Sequence, residues 1–130
     1  MKLVIQNLTN PPHDCPTRAL TKLVIFAAIE FDADIYKFGK DTPSSGQEYV
    51  STMPGVELRF LKVFRAPLGY LTYDQLRTMI LGLQLYMVIG KRPQAIGFKV
   101  LYGDDDVTLG HGAITARAAP DVLLSGATNG

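Results

Sequence analysis

Residues 47–64, QEYVSTMPGVELRFLKVF, contain two mixed apolar and polar runs separated by Met53-Pro54-Gly55. Proline fixes φ at the first central position of a tight turn and glycine accepts the positive φ of the second, so the runs fold back on each other. The spacing predicts antiparallel strands over Gln47–Thr52 and Val56–Phe64. In the second run Val56, Leu58 and Phe60 alternate with Glu57 and Arg59, which gives one buried and one wet face. Beyond Phe60 the alternation blurs into Leu61, Val63 and Phe64, and cover on both faces is expected there.

Upstream, residues 40–46 hold Asp, Thr, Pro, two Ser and Gly, which is loop chemistry. Before them Leu20, Val24, Ala27, Ala28, Phe31 and Ile35 recur at three-four spacing and predict a helix from Thr17 to about Phe38, ended by Gly39. The rival is a strand over Lys22–Phe31, because Leu23-Val24-Ile25-Phe26 suits a sheet. Length and the alanine pair favour the helix. Lys2–Leu8 reads as a first strand, stopped by Asn10-Pro11-Pro12.

Downstream, Thr72 can cap a second helix by accepting the Gln75 amide while Gln75 reaches back to the Thr72 amide, with Leu71 facing Leu76 as a hydrophobic staple. Gly90 after Ile89, then Lys91-Arg92 and Pro93, mark its end. Strands over Ala95–Tyr102 and Val107–Thr115 flank Gly103-Asp104-Asp105-Asp106, a hairpin loop. The order β-α-β-β-α-β-β implies an α+β fold: an antiparallel sheet with two helices on one face, ferredoxin-like through its first six elements, plus an extra C-terminal strand. Residues 1–115 form the single domain, and 116–130, small and polar with Pro120, a flexible tail.

The 130 residues are 47% apolar and 19% charged, with mean hydropathy +0.12, the apolar end of the range for globular domains. Thirteen Lys and Arg against twelve Asp and Glu leave a net charge of +1, too little to concentrate nucleic acid by counterion release. No apolar run is long enough to span a bilayer, since Gly82 and Gln84 interrupt Met79–Ile89. Neither nucleic acid nor a membrane is expected as a partner. The single cysteine, Cys15, permits no disulfide within the chain. With only three apolar residues after Lys2, a cytoplasmic location is expected, or a secreted one if a signal peptide has been removed.

Both helices carry more apolar surface than one sheet contact needs. Leu20, Val24, Ala27, Phe31 and Ile35 line one face of the first, yet Ile25, Phe26 and Ile29 point elsewhere. In the second, Leu76, Ile80, Leu83 and Met87 form the core stripe, and Leu81, Leu85, Val88 and Ile89 lie behind it. A patch of this kind marks an association surface, here an expected homo-oligomer interface, unless flanking segments cover it. Neither outer face has the lysine and arginine excess of a membrane-surface helix.

His13-Asp14-Cys15 places a base, a carboxylate and a thiol together, but adjacent residues seldom point at one another, and packing and turn roles suit them better. Two His and one Cys give no zinc spacing, and Asp104–Asp106 lack the rest of a calcium loop, so no metal is expected. Arg59, Lys62 and Arg65 interleave with Phe60 and Phe64, without the signature of an RNA-binding sheet. His111 lies between Gly110 and Gly112 in a strand. Glycines there mark a bulge or a close approach, and the imidazole can serve as general acid or base on the open sheet face. The alternative is that the glycines make room for packing and His111 is a half-exposed strand residue.

Leu71-Thr72-Tyr73-Asp74-Gln75-Leu76, Leu81-Gly82-Leu83, Gly90, Ala95-Ile96-Gly97-Phe98 and Leu109-Gly110-His111-Gly112 together resemble a pattern in small fungal proteins of unknown function. The resemblance covers the C-terminal third to half of the chain and implies a fungal source but no activity.

Two functions follow. The first is a protein without cofactors that binds an apolar small molecule on the open sheet face, as a cyclase or isomerase of fungal secondary metabolism. Arg59, Tyr102 and His111 would then orient the ligand, with His111 as the catalytic proton-transfer group. The second is a non-catalytic protein-protein interaction module using the apolar helix faces.

Overall fold

The computed structural model describes residues 1–8 and 13–117. The expected tail therefore lies outside the described residues from position 118 onward, as does Asn10-Pro11-Pro12. In chain order the elements are β1 (Lys2–Asn7), α1 (Thr17–Phe38), β2 (Glu48–Met53), β3 (Val56–Lys62), α2 (Tyr73–Leu83, continuing as a π-helix over Gln84–Ile89), β4 (Ile96–Tyr102) and β5 (Val107–Ala116). The fold is α+β, a five-stranded antiparallel sheet with two helices.

The local chemistry does what the residues dictate. Gly55, at φ 91°, turns β2 into β3, pairing Met53 with Val56. Helix α1 ends where Gly39, at φ 98°, donates its N–H to the Ile35 carbonyl oxygen at 2.9 Å. Helix α2 starts on a reciprocal cap. The Gln75 N–H donates to Thr72 Oγ1 at 3.1 Å, and the Thr72 N–H donates to Gln75 Oε1 at 2.8 Å. Leu20, Val24, Ala27 and Phe31 of α1 and Leu76, Ile80, Leu83 and Met87 of α2 and its extension are buried in one core with Leu58, Phe60, Ile96, Phe98, Val100 and Ile114 of the sheet.

The end of the second helix differs in detail from expectation. Its last turn widens to i→i+5 bonding, with the Gly90 N–H donating to the Leu85 carbonyl at 2.9 Å. Gly90 itself stays right-handed at φ −74°, and Lys91 takes the left-handed position at φ 55°. Glycine is still required at position 90, because a Cβ would collide with the Tyr86 carbonyl oxygen.

Strand order is β1-β4-β5-β3-β2, so the ferredoxin-like arrangement is not what the chain adopts. The extra strand does not add to an edge. It enters between β3 and β4, the place β1 would hold in the ferredoxin-like order, and β1 moves to the outside of β4. The reason lies in Gly110 and Gly112. Gly112 pairs with Phe60 on one side and Phe98 on the other. With no side chain between them, the two rings close to 5.8 Å between centroids at an interplanar angle of 6°. Phe60 also leans over Gly110, where a Cβ would collide with its ring. A glycine strand is filled only when neighbours on both flanks cover it, whereas β1, which half-buries only Leu3 and Ile5, suits an edge.

One irregularity sets which way β5 faces. Leu101 pairs with Thr108, but Val100 pairs with Gly110, leaving Leu109 as a bulge. After it, Gly110, Gly112 and Ile114 share the helix side, and His111, Ala113 and Thr115 the open side.

Replacement of Gly112 tests the glycine strand directly. A Cβ there would strike the Arg59 carbonyl and come within 2.9 Å of Phe98 Cζ. Gly112→Ala is expected to cost about 3 kcal/mol or more in urea unfolding. Gly82→Ala, whose Cβ meets only the movable end of Leu3 at 3.1 Å, should instead be neutral or stabilising by up to about 1 kcal/mol. Equal, small effects at both positions would refute the role given to Gly112.

Candidate functional site

The open sheet face carries a groove of about 520 Å³ over β4, between β1 and β5. Its floor follows from register. Gln6, Gly97 and Ala113 lie in one row across three strands, and Val4, Lys99 and His111 in the next. Gly97 leaves the first row without a side chain at its centre, so the sheet is notched there. Leu8 at the end of β1 overhangs the notch, with Cδ2 3.0 Å from where a Gly97 Cβ would stand. Val4 and Leu8 supply apolar walls, and Gln6, Lys99 and His111 supply polar groups. The volume lies in the range of small-molecule sites, about 300–1,000 Å³.

Of the expected ligand-binding residues, His111 lines this groove and is exposed. Arg59 shares the open face but lies one strand beyond Ala113, outside the lining. Its guanidinium is held by Glu57 Oε2 at 2.7 Å and Glu48 Oε2 at 3.2 Å. Hydrogen bonding to and charge from Glu57, then Glu48, raise its already high pKa. Tyr102 stands at the far end of β4 opposite Val107, also outside the lining. Gln6, Val4, Leu8 and Lys99 were not singled out from sequence. The alternation of Phe98 and Val100 against Gly97 and Lys99 was the available signal, but it needed the β1-β4 and β4-β5 registers to become a site.

The basic residues near β3 do not share a face. Arg59 is outward, whereas Lys62 is buried at 5% exposure. Its Nζ donates to Ser44 Oγ at 3.0 Å and to the Ser45 carbonyl at 2.9 Å. Arg65 donates to the Thr108 carbonyl at 2.8 Å. Burial lowers the Lys62 pKa, partly offset by Asp34. A serine beside a lysine of lowered pKa has the composition of a nucleophile and base. Here the Ser44 hydroxyl proton is already given to the Leu71 carbonyl at 2.8 Å, both side chains are buried, and the pair ties the 40–46 loop to β3.

The His13-Asp14-Cys15 segment is likewise structural. The Cys15 N–H donates to the Pro93 carbonyl at 2.6 Å, and the Ala95 N–H donates to the His13 carbonyl at 2.7 Å. Cys15 is 3% exposed, and burial, then the charge of Asp14, push its thiol up, away from the reactive thiolate. Among the described residues no three His, Cys, Asp or Glu side chains gather as a metal-binding group.

A second surface lies on the other side of the molecule. Ile25, Phe26 and Ile29 of α1 and Leu81, Leu85 and Ile89 of the second helix are between 39% and 65% exposed. Val88, expected among them, is instead half-buried against the core. The widened turn over Gln84–Ile89 rotates it inward relative to a regular α-helix. The Asp32-Arg77 ion pair joins the two helices, and Ile29 and Leu81, then Ile25 and Leu85, follow at helical spacing on the same outer side. No helix among the described residues is long and apolar enough to cross a membrane.

Alkaline titration distinguishes two polar anchors of the sheet, half-buried Tyr49 and buried Lys62. The Tyr49 hydroxyl donates to Glu30 Oε1 at 3.0 Å, and burial, then the charge of Glu30, push its pKa far above the ordinary value. The folded state thus keeps a proton that the unfolded chain releases above about pH 10, so this contribution is complete below that pH and lost as pH rises. Lys62, lowered by burial, acts in the opposite direction, because the unfolded chain binds its proton more tightly. Tyr49→Phe leaves the Lys62 contribution in place. Urea unfolding from about pH 9 to about pH 11 should show the variant losing less stability than the parent chain. Parallel curves would contradict this assignment. No family model matches the chain, and neither the curated proteins nor the solved structures compared with it give a match.

Proposed function

We propose that this protein binds an apolar small molecule in the groove over β4, and that His111 is the group that moves a proton on it, as an isomerase or cyclase without a cofactor requires. The observation that supports the reading is the notch at Gly97, walled by Val4 and Leu8 and bordered by His111. Isomerisation of this kind needs a substrate held in one shape and a base that takes a proton from one atom and returns it to another. An imidazole on a rigid central strand meets the second need.

The test is a screen of apolar metabolites followed through backbone amide shifts. A true ligand should move Val4, Gly97, Lys99 and His111. Gly97→Val, whose backbone is outside the left-handed region and whose Cβ meets the movable end of Leu8 at 3.0 Å, should weaken binding about tenfold while unfolding stays cooperative. For an identified substrate, His111→Gln should remove turnover but retain binding. Shifts confined to the helices, or turnover that survives His111→Gln, would overturn the respective parts of the proposal.

The outer helix face supports a second reading, a homo-oligomeric interaction module. Six large apolar side chains on one side of two packed helices exceed what isolated surface residues require. Under this reading light scattering shows a dimer or larger species, and Ile29→Glu with Leu85→Glu returns a folded monomer. A monomer at all concentrations in the parent chain would remove it.

A further inference from the structure

Among the described residues, the charged side chains on the open face of the strands are paired with one exception. Lys2 Nζ meets Asp106 Oδ1 at 2.9 Å. Arg59 takes Glu48 and Glu57, and Arg117 also approaches Glu57, at 3.6 Å. Lys99 alone has no ion-pair or hydrogen-bond partner among the described residues, and it borders the groove. Its direct cross-strand neighbour is His111, likewise without a partner among the described residues. Side chains so placed have Cβ atoms about 5 Å apart, close enough for both to donate to one small anion. The open-face carboxylates of the β2-β3 hairpin, Glu48 and Glu57, are engaged beside Arg59.

We infer that the ligand of the groove is an amphiphile with one anionic group, a carboxylate or sulfonate held between Lys99 and His111, and an apolar body lying over Gly97 against Val4 and Leu8. This rests on the groove being the binding site, as proposed above, and adds the charge of what it binds. A cation with no partner among the described residues, beside a hydrogen-bond donor at one end of an apolar trough, selects such a molecule over its neutral analogue, because hydrogen bonds to a charged acceptor are the stronger ones. Bound there, the anion also separates two donors that otherwise face each other across the strands.

Two dyes with the same ring frame test the charge directly in the full chain: anilinonaphthalene sulfonate and the neutral phenylnaphthylamine. Fluorescence titration should give the sulfonate the tighter binding by about tenfold or more, with backbone amide shifts at Gly97, Lys99 and His111 for both dyes. Lys99→Met combined with His111→Leu, both at exposed positions, should abolish the preference for the sulfonate, bringing the ratio of the two affinities to about one. If both dyes shift the groove amides with equal affinity in the parent chain, the anion inference is wrong and the groove reading survives. If neither dye shifts those amides, or the shifts fall on Ile25, Ile29 and Leu85, the groove reading fails and takes this inference with it.

Discussion

Two phenyl rings meet over a strand that has no side chain beneath them, and the rest of the molecule is arranged around that contact. Phe60 and Phe98 belong to strands separated by β5, so an ordinary residue at position 112 would hold them apart. An aromatic pair adds about 0.5–1.5 kcal/mol beyond the area it buries. Its larger effect here is topological. Because the rings fill the space above Gly112 and Phe60 covers Gly110, β5 packs well only where both neighbours are present. That requirement displaces β1 to the edge, and β1 at the edge is what forms one wall of the groove.

The two sides of the sheet are thereby given different work. On the helix side, polar groups are few and satisfied. Among the described residues no buried side-chain nitrogen or oxygen lacks a partner, and Lys62 sits within a small network that fixes the preceding loop. On the open side, the charges of the described strand residues cancel locally, apart from Lys99. Apolar excess is not spread evenly either: it gathers on the outer side of the helix pair, where Asp32 and Arg77 supply the polar link and the residues around them do not.

Those parts of the fold that rest on neighbouring residues were legible in the sequence. The Pro54-Gly55 turn, the Thr72-Gln75 cap and the 22-residue first helix each follow from chemistry contained within a few turns of chain. Strand order was not legible, because it depends on Phe60 and Phe98 finding each other across nearly forty positions of sequence. The site was legible in part. The glycines flanking His111 singled it out, but their own role is packing beneath the rings, and the imidazole reaches the groove because it alternates with them. Arg59 looked like a free ligand group only when Glu57, two positions away on the same strand face, and Glu48 across the hairpin were overlooked. Val88 was misplaced because a π-turn changes the residue count per turn without leaving a local mark.

The bulge at Leu109 gives β5 something like a reading frame. Counted from the hairpin turn without it, His111 would stand opposite Phe98 and point toward the helices, and the glycines would lie on the open face. One extra residue exchanges inside for outside over the whole remainder of the strand. Deleting Leu109 would close the bulge and keep Gly110 opposite Val100 and His111 opposite Lys99, whereas pairing Leu109 within the ladder would remove the imidazole from the groove and the glycines from beneath the rings in the same event. The chemistry of one face and the packing of the other are therefore inherited together, because one slip of register moves the imidazole and the glycines at once.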